Sequence, residues 1–256
     1  MIIRSYANIV HRIEATLSQS ERFSIWRRGK VQTATQAYAL YCLRYTPSIR
    51  DTPLIYLSAG IHGDEPAGVE CALHVIDQLA AGASFFTQYE WVVSPCDNPF
   101  GYERDLRENE MGIDLNQTFD RPEQFSQTSF IVSSLKGIHV HTALDVHEDC
   151  DSSGFYLWER RRSSRAPIGH QIVHRVETIC PINRATEIEG HKSNDGVITL
   201  VDTVGSKGWT RGRYLAECIT GCCLVLETPT QLDLETRVQV HLTAIRTALE
   251  SLKRET

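Results

Sequence analysis

The period of the apolar positions changes several times along the chain, and each change marks an element. Ile9, Ile13 and Leu17 fall near helical spacing and predict an amphipathic helix at the start. Residues 28–45, with the aromatic run Leu40-Tyr41-Cys42-Leu43-Arg44-Tyr45, read as one or two strands. Leu54–Ser58 is a short unbroken apolar run, which predicts a buried strand. Over 66–81, Val69, Leu73, Ile76 and Leu79 return to helical spacing behind Pro66, a residue suited to a first helical turn. Glu90–Ser94 predicts another strand, Asn98-Pro99-Phe100-Gly101 a turn, 127–138 a helix and 142–146 a strand. A helix over 168–180, an apolar strand over 222–226 and a long amphipathic helix over 234–252 complete the series. Strands alternating with helices predict an α/β fold, a mostly parallel sheet with helices on both faces. In such sheets functional residues collect beyond the carboxyl ends of the strands.

Composition narrows the classes. The 256 residues are 41% hydrophobic and 23% charged, enough for one sizeable core. No Pro-, Gly- or Ser-rich stretch divides them, so residues 1–256 are expected to form a single domain. A net charge of -6 argues against nucleic acid or an anionic membrane as the main partner. The exception is Glu159-Arg160-Arg161-Arg162-Ser163-Ser164-Arg165, read first as a solvated loop and second as a cluster near an anionic substrate. The eight cysteines are scattered through predicted helix and strand, as buried thiols in a reducing compartment are. Cys150 lies close to the candidate site but lacks the paired spacing of a structural zinc site. Residues 1–12 lack the pattern of a signal peptide and no window is long enough to span a bilayer, so a cytoplasmic protein is expected.

The candidate chemistry sits at predicted strand ends. His62 and Glu65, in Gly60-Ile61-His62-Gly63-Asp64-Glu65-Pro66, follow the strand ending at Ser58. His147 follows the strand ending at Val146, and Glu227 the one ending at Leu226. Two imidazoles and one carboxylate form a catalytic zinc set that leaves a position open for water. Taken alone, His62 and Glu65 equally suit an exposed turn; flanking Gly60 and Gly63 permit the sharp backbone turn that brings both side chains round. For the third ligand His147 competes with His139 and His141 upstream and with the helical pair His170 and His174, which lacks a glutamate at the general-base position. Asp145 is a candidate acceptor for the second N–H of a ligating imidazole. Zinc lowers the pKa of bound water toward neutrality. Glu227, a carboxylate ending an apolar strand, is costly there unless paired or functional, and is the candidate general base; a surface residue at a strand end is the bland alternative. Arg107, with Arg104 close behind, is the candidate for stabilising a developing oxyanion, although its charge-rich run also suits a solvated loop.

His62-Gly63-Asp64-Glu65, Asn98-Pro99-Phe100-Gly101-Tyr102, Arg107, Gly112-Ile113-Asp114-Leu115-Asn116, Asp145-Val146-His147 and Leu226-Glu227-Thr228-Pro229 occur in this order. Together, across about residues 50–230, they resemble the zinc carboxypeptidase superfamily, particularly its succinylglutamate desuccinylase/aspartoacylase-like and murein-peptide-amidase-like branches. The resemblance implies a mixed, mostly parallel eight-stranded sheet and one zinc ion held by His62, Glu65 and His147. It further implies Glu227 as general acid/base, Arg107 as the group polarising the scissile carbonyl, and Asn116 with its successor as substrate-binding positions. In that family the pattern is Asp-x-Asn-Arg, whereas here it is Asp114-Leu115-Asn116-Gln117. An uncharged Gln117 cannot make the arginine fork's bidentate grip on a carboxylate. Either another arginine (Arg104, Arg121, Arg160, Arg211 or Arg213) substitutes, or the substrate differs. Tyr214 reads as sheet packing or as a mobile phenol at the site. The implied activity is zinc metallopeptidase or amidohydrolase, metallocarboxypeptidase-like, on a small peptide. The alternatives are an N-acyl amino acid deacylase and a zinc-binding protein without turnover.

Overall fold

The computed structural model describes residues 4–161, 167–199 and 208–253. Its strands are β1 (Phe23–Gln32), β2 (Ala37–Tyr45), β3 (Leu54–Ser58), β4 (Glu90–Ser94), β5 (Thr142–Asp149), β6 (Tyr156–Arg161), β7 (Glu187–Ile188), β8 (His191–Asn194), β9 (Val197–Thr199) and β10 (Cys222–Pro229). Across the one sheet the order is β1-β2-β4-β3-β5-β10-β6-β9-β8-β7. The centre, β4-β3-β5-β10, is parallel throughout. All five residues of β3 are buried, as befits a strand covered on both faces. The hairpin β1-β2 joins β4 antiparallel, and β6 joins β10 antiparallel. Beyond it β9 runs parallel to β6, and β8 and β7 continue antiparallel.

The fold is therefore mixed α/β as expected, with two corrections. There are ten strands rather than eight, and antiparallel pairings outnumber parallel ones by five to four. The edge strands β7–β9 are two to four residues long, too short for an alternation signal, and are held by pairing in turn outward from β6. The basic cluster is also no loop over its described part. Glu159, Arg160 and Arg161 lie in β6, and the buried Glu159 carboxylate accepts the backbone N–H groups of Ile168 and Gly169 at 2.8 and 2.9 Å. Arg160 pairs with Glu217; residues 162–165 of the cluster lie outside the described residues.

The helices are α1 (Tyr6–Gln19), α2 (Pro66–Ala80), α3 (Pro99–Arg104), α4 (Ser126–Leu135), α5 (Gly169–Val176), α6 (Arg211–Tyr214) and α7 (Leu234–Lys253). The stretch read as a turn at Asn98 starts α3 instead. The Asn98 side chain accepts the Gly101 N–H at 3.0 Å and Pro99 takes the first helical position, so turn chemistry becomes a helix cap. Val69, Leu73, Ile76 and Leu79 of α2 are all buried, each contributing roughly 1.5–3 kcal/mol before entropy is charged against it. Side-chain alternation along β5 separates the two faces. Val146 and Glu148 face α2 and α7, through the contact of Val146 with Gly68 and of Glu148 with Arg237. Asp145 faces the other way and pairs with Arg211 of α6. Helices thus cover both faces.

Candidate active site

The loop from β3 to α2 presents the first two donors. Gly60 adopts φ +63, a left-handed conformation in which glycine carries no Cβ penalty. Gly63 has no such conformation and serves for another reason: a Cβ there would lie 1.9 Å from the Gly101 carbonyl carbon and 2.2 Å from the Tyr102 nitrogen. Its role is close approach to the first turn of α3, which corrects the expectation that backbone freedom was needed at both glycines. The Asn98 N–H donates to the Gly60 carbonyl at 2.7 Å and ties the same loop down.

Thus held, His62 and Glu65 meet His147 of β5, and all three are buried. One donor atom from each lies within 4.8 Å of the others. Nδ1 of His62 stands 2.5 Å from one Glu65 oxygen and Nδ1 of His147 stands 2.9 Å from the other. Each imidazole turns its Nε2 away, His62 toward Asp114 Oδ1 at 3.2 Å and His147 toward Asp145 Oδ2 at 3.4 Å. That is how ligating imidazoles are oriented, one nitrogen inward and the other toward a carboxylate. The donor set therefore fits a divalent metal ion, with Asp145 in the orienting place expected for it. Burial alone would raise the Glu65 carboxyl, but the two imidazoles outweigh it and hold its pKa below the ordinary range. Burial likewise opposes ionisation of Asp114, yet His62 and Arg107 bring it down to about 2.

Behind His147 lies a buried ionic chain. Arg211, with no exposed surface, reaches Asp97 Oδ2 at 2.6 Å and Asp145 Oδ1, while Ser58 Oγ donates to Asp145 at 3.1 Å. Its backbone N–H also donates to Asn116 Oδ1 at 2.7 Å. Two carboxylates flanking one guanidinium leave Asp97 raised to about 7 by burial, whereas Arg211 and His147 hold Asp145 low against the same penalty.

Glu227 belongs to β10 rather than following it, and His147 likewise lies within β5, because the ladder between these strands runs on to the Pro229–Asp149 pair. In that parallel ladder Glu227 stands directly beside His147. Neighbouring strands are about 4.8 Å apart, so the two side chains share one face at the rim. No described residue hydrogen-bonds its carboxylate, and burial raises its pKa well above the usual range. Nη1 of Arg107 lies 3.5 Å from Glu65 and its Nε donates to Asp114 Oδ2 at 3.1 Å. His62, Glu65, Arg107, His147 and Glu227 line a cavity of about 1110 Å³, as do Asn116, Gln117, Arg213 and Tyr156.

The alternatives separate cleanly. Arg104 lies over the Phe100 ring and donates to Tyr38. The exposed Arg121, the half-buried Arg160 and the fully buried Arg211 also stay out of the cavity lining, and of the five arginines only Arg213 reaches it, its guanidinium 4.5 Å from the Trp209 ring. His139 is exposed, His141 sits at the opposite end of β5, and His174 is solvent-facing on α5 beside Glu177. His170 lies on the same helix against the Asn194 carbonyl. Tyr214 stacks on Phe119, ring centroids 5.5 Å apart, and packs against the core. All eight cysteines are free thiols, with Cys150 on the cavity wall. Sequence reasoning missed Glu148, Tyr156, Glu189 and His191 in the wall; only Glu148, adjoining His147, carried any signal.

A ten-stranded mixed sheet with this buried donor set at its carboxyl rim defines a carboxypeptidase-like fold carrying a candidate metal site. The chain belongs to the succinylglutamate desuccinylase/aspartoacylase catalytic domain family, whose family model matches residues 51–231. None of the curated proteins matches the sequence. Among solved structures, a protein of Shewanella amazonensis SB2B provisionally named a metallopeptidase is 22% identical, with TM-score 0.74 over 94% of this chain and 90% of that one. A metallo-carboxypeptidase from Burkholderia cenocepacia is 15% identical, with TM-score 0.69 over 99% and 70%. One from Pseudomonas aeruginosa, in complex with (2-guanidinoethylmercapto)succinic acid, is also 15% identical, with TM-score 0.69 over 98% and 69%. Among the described residues no helix is long and apolar enough to cross a membrane.

Proposed function

We propose that this protein is a zinc-dependent hydrolase of an amide bond, with His62, Glu65 and His147 as the ligands of one zinc ion. Two imidazoles and a carboxylate suit zinc and leave a coordination position open. When bound, zinc supplies a Lewis acid that eases both deprotonation of water and polarisation of a carbonyl. The observation that carries the reading is the Glu227 carboxylate, standing beside His147 in the β5–β10 ladder with no hydrogen bond from any described residue.

Glu227 accepts the proton of the attacking water and returns it to the departing amine nitrogen, cleaving the C–N bond. A raised pKa suits both halves, since the group must hold a proton between the two transfers. The Arg107 guanidinium, facing the same cavity, donates to the oxygen that gains charge as the carbonyl is attacked. Asn116, oriented by the Arg211 backbone, and Gln117 hold the part of the substrate beyond the scissile bond. The cavity is as large as those that take drug-sized ligands and has room for more than a single acylated amino acid, which favours a small peptide. The alternative, an N-acyl amino acid deacylase, is favoured by the family match. Free, mostly buried thiols accord with a reducing, cytoplasmic setting.

The test is turnover of zinc-loaded wild type and Glu227→Gln on peptides with a free C-terminus, γ-linked cell-wall peptides and N-acyl amino acids. Wild-type cleavage of one set, reduced about 10²–10⁴-fold in the variant with zinc binding unchanged, is expected. Equal inertness of both proteins on all three sets would leave a zinc-binding protein without turnover.

A further inference from the structure

The N-cap of α2 is unusual. Helices commonly begin on a residue whose side chain accepts an N–H of the first turn. Here the N-cap is Glu65, which makes no side-chain cap bond because its carboxylate is turned to the two imidazoles. The first turn is nevertheless not left open. Glu148, one residue beyond His147 and on the opposite face of β5, reaches across so that its Oε2 accepts the Ala67 N–H at 2.8 Å. Its Oε1 pairs with Arg237 of α7, and its side chain has no exposed surface. At the next position α2 touches β5 directly, since a Cβ on Gly68 would lie 3.0 Å from the Val146 carbonyl oxygen and 3.2 Å from its Cγ2.

We infer that Glu148 is a positioning residue that caps α2 in place of Glu65 and thereby sets the spacing between the donors on α2 and β5. The inference rests on the metal reading of His62, Glu65 and His147. Glu65 begins α2 and His147 belongs to β5, so any slip of the helix along the strand changes the separation of the two donors. Glu148 and Gly68 join these same two elements within three residues of both donors. A buried, charge-assisted acceptor at a helix N-terminus is among the stronger ways to hold such a join. Both Glu148 oxygens are engaged, so it does not compete with Glu227 for the proton of water.

The test measures zinc affinity by competition with a chromophoric chelator, alongside thermal unfolding of the metal-free protein. Glu148→Gln keeps an oxygen that can accept the Ala67 N–H and should hold zinc within about threefold of wild type. Glu148→Ala should weaken zinc binding about 10–100-fold, the range for residues that orient ligands. Because that variant strands a largely buried Arg237, the double variant Glu148→Met with Arg237→Met removes both charges together, an exchange that folded proteins tolerate. It should fold and show the same 10–100-fold loss. A purely structural role would lower the apo unfolding temperature while zinc affinity stays at the wild-type value in the double variant, and that result overturns the inference. Wild type that takes up no zinc would instead overturn the metal reading itself.

Discussion

Replacing Gly63 by alanine puts the geometry of the site under direct strain. The new Cβ would lie 1.9 Å from the Gly101 carbonyl carbon, 2.2 Å from the Tyr102 nitrogen and 2.4 Å from the Gly101 Cα. Carbon contacts are ordinarily about 3.5–4.0 Å, so the two backbones must part by roughly 1.5 Å. All three obstacles are main-chain atoms, and no rotamer change relieves them. Nor is α3 free to retreat. Asn98 accepts the Gly101 N–H at 3.0 Å, and its side-chain amide donates to the Arg107 and Glu108 carbonyls at 3.3 and 3.0 Å. Overpacking typically costs about 1–3 kcal/mol, and rigid main-chain neighbours place this case at the upper end, about 3 kcal/mol. For a chain of this length that lowers the unfolding temperature by roughly 6–12 °C. His62 is the preceding residue and moves with the loop, and a misplacement of about 1 Å at a reacting centre can cost on the order of 10²-fold. Thermal unfolding of the metal-free protein, zinc competition and turnover should be measured on one preparation. Gly82→Ala is the control: unlike Gly63 it sits at positive φ, +73, and a Cβ there meets nothing within 4 Å, so it should cost stability through backbone strain without touching zinc affinity. Wild-type unfolding temperature and zinc affinity in Gly63→Ala would refute the close approach of this loop to α3.

Arg107→Met should lower kcat by about 10²–10³-fold, while zinc affinity, read by chelator competition, stays within a few fold, because Arg107 serves the oxyanion and not the metal. Zinc affinity should keep rising as pH climbs past the ordinary histidine range: burial lowers the His147 pKa, but Asp145 and Glu65 outweigh it and hold it well above 6.5, so proton and metal compete up to that raised pKa. An affinity flat above pH 6.5 in calorimetric titrations would contradict this. His241 on α7 is fully buried beside Thr228, and burial, with the His147 charge behind it, lowers its pKa to about 3. Its neutral form is therefore kept in the fold while the unfolded chain takes up a proton below about 6.5. Stability should fall as pH drops from about 6.5 toward 3, by about 1.4 kcal/mol per unit, and His241→Leu should flatten that slope in denaturant titrations.

Most of the site-bearing architecture is legible in the sequence. The strands Leu54–Ser58 and Glu90–Ser94 show as apolar runs with these bounds, and α2 and α7 show in helical spacing to within one residue, because long elements that bury one continuous face repeat their period often enough to show. The edge region beyond β10 was not. Its strands are short, polar and held by pairing with neighbours distant in the chain, so their own residues carry no signature. Turn chemistry at Asn98 was legible, but whether it bends the chain or starts a helix depended on what packs behind Gly101. The arginines show the same limit: five were equivalent as sequence, and only packing buried Arg211 between Asp97 and Asp145 and turned Arg213 to the cavity.

Residue chemistry and local period thus determined, with no help from tertiary contacts, that the chain is α/β and that His62, Glu65, His147 and Glu227 are its candidate reactive groups. The order of motifs pointed to the family. Tertiary structure alone decided that the first three meet within hydrogen-bonding reach, that Gly63 is needed for space rather than flexibility, and that Glu148 caps a helix whose own N-cap serves the site. The reason is one of range. Propensity and spacing act over a few residues, whereas the meeting of a loop after β3 with strand β5 is set by sheet register and helix docking between segments about eighty residues apart.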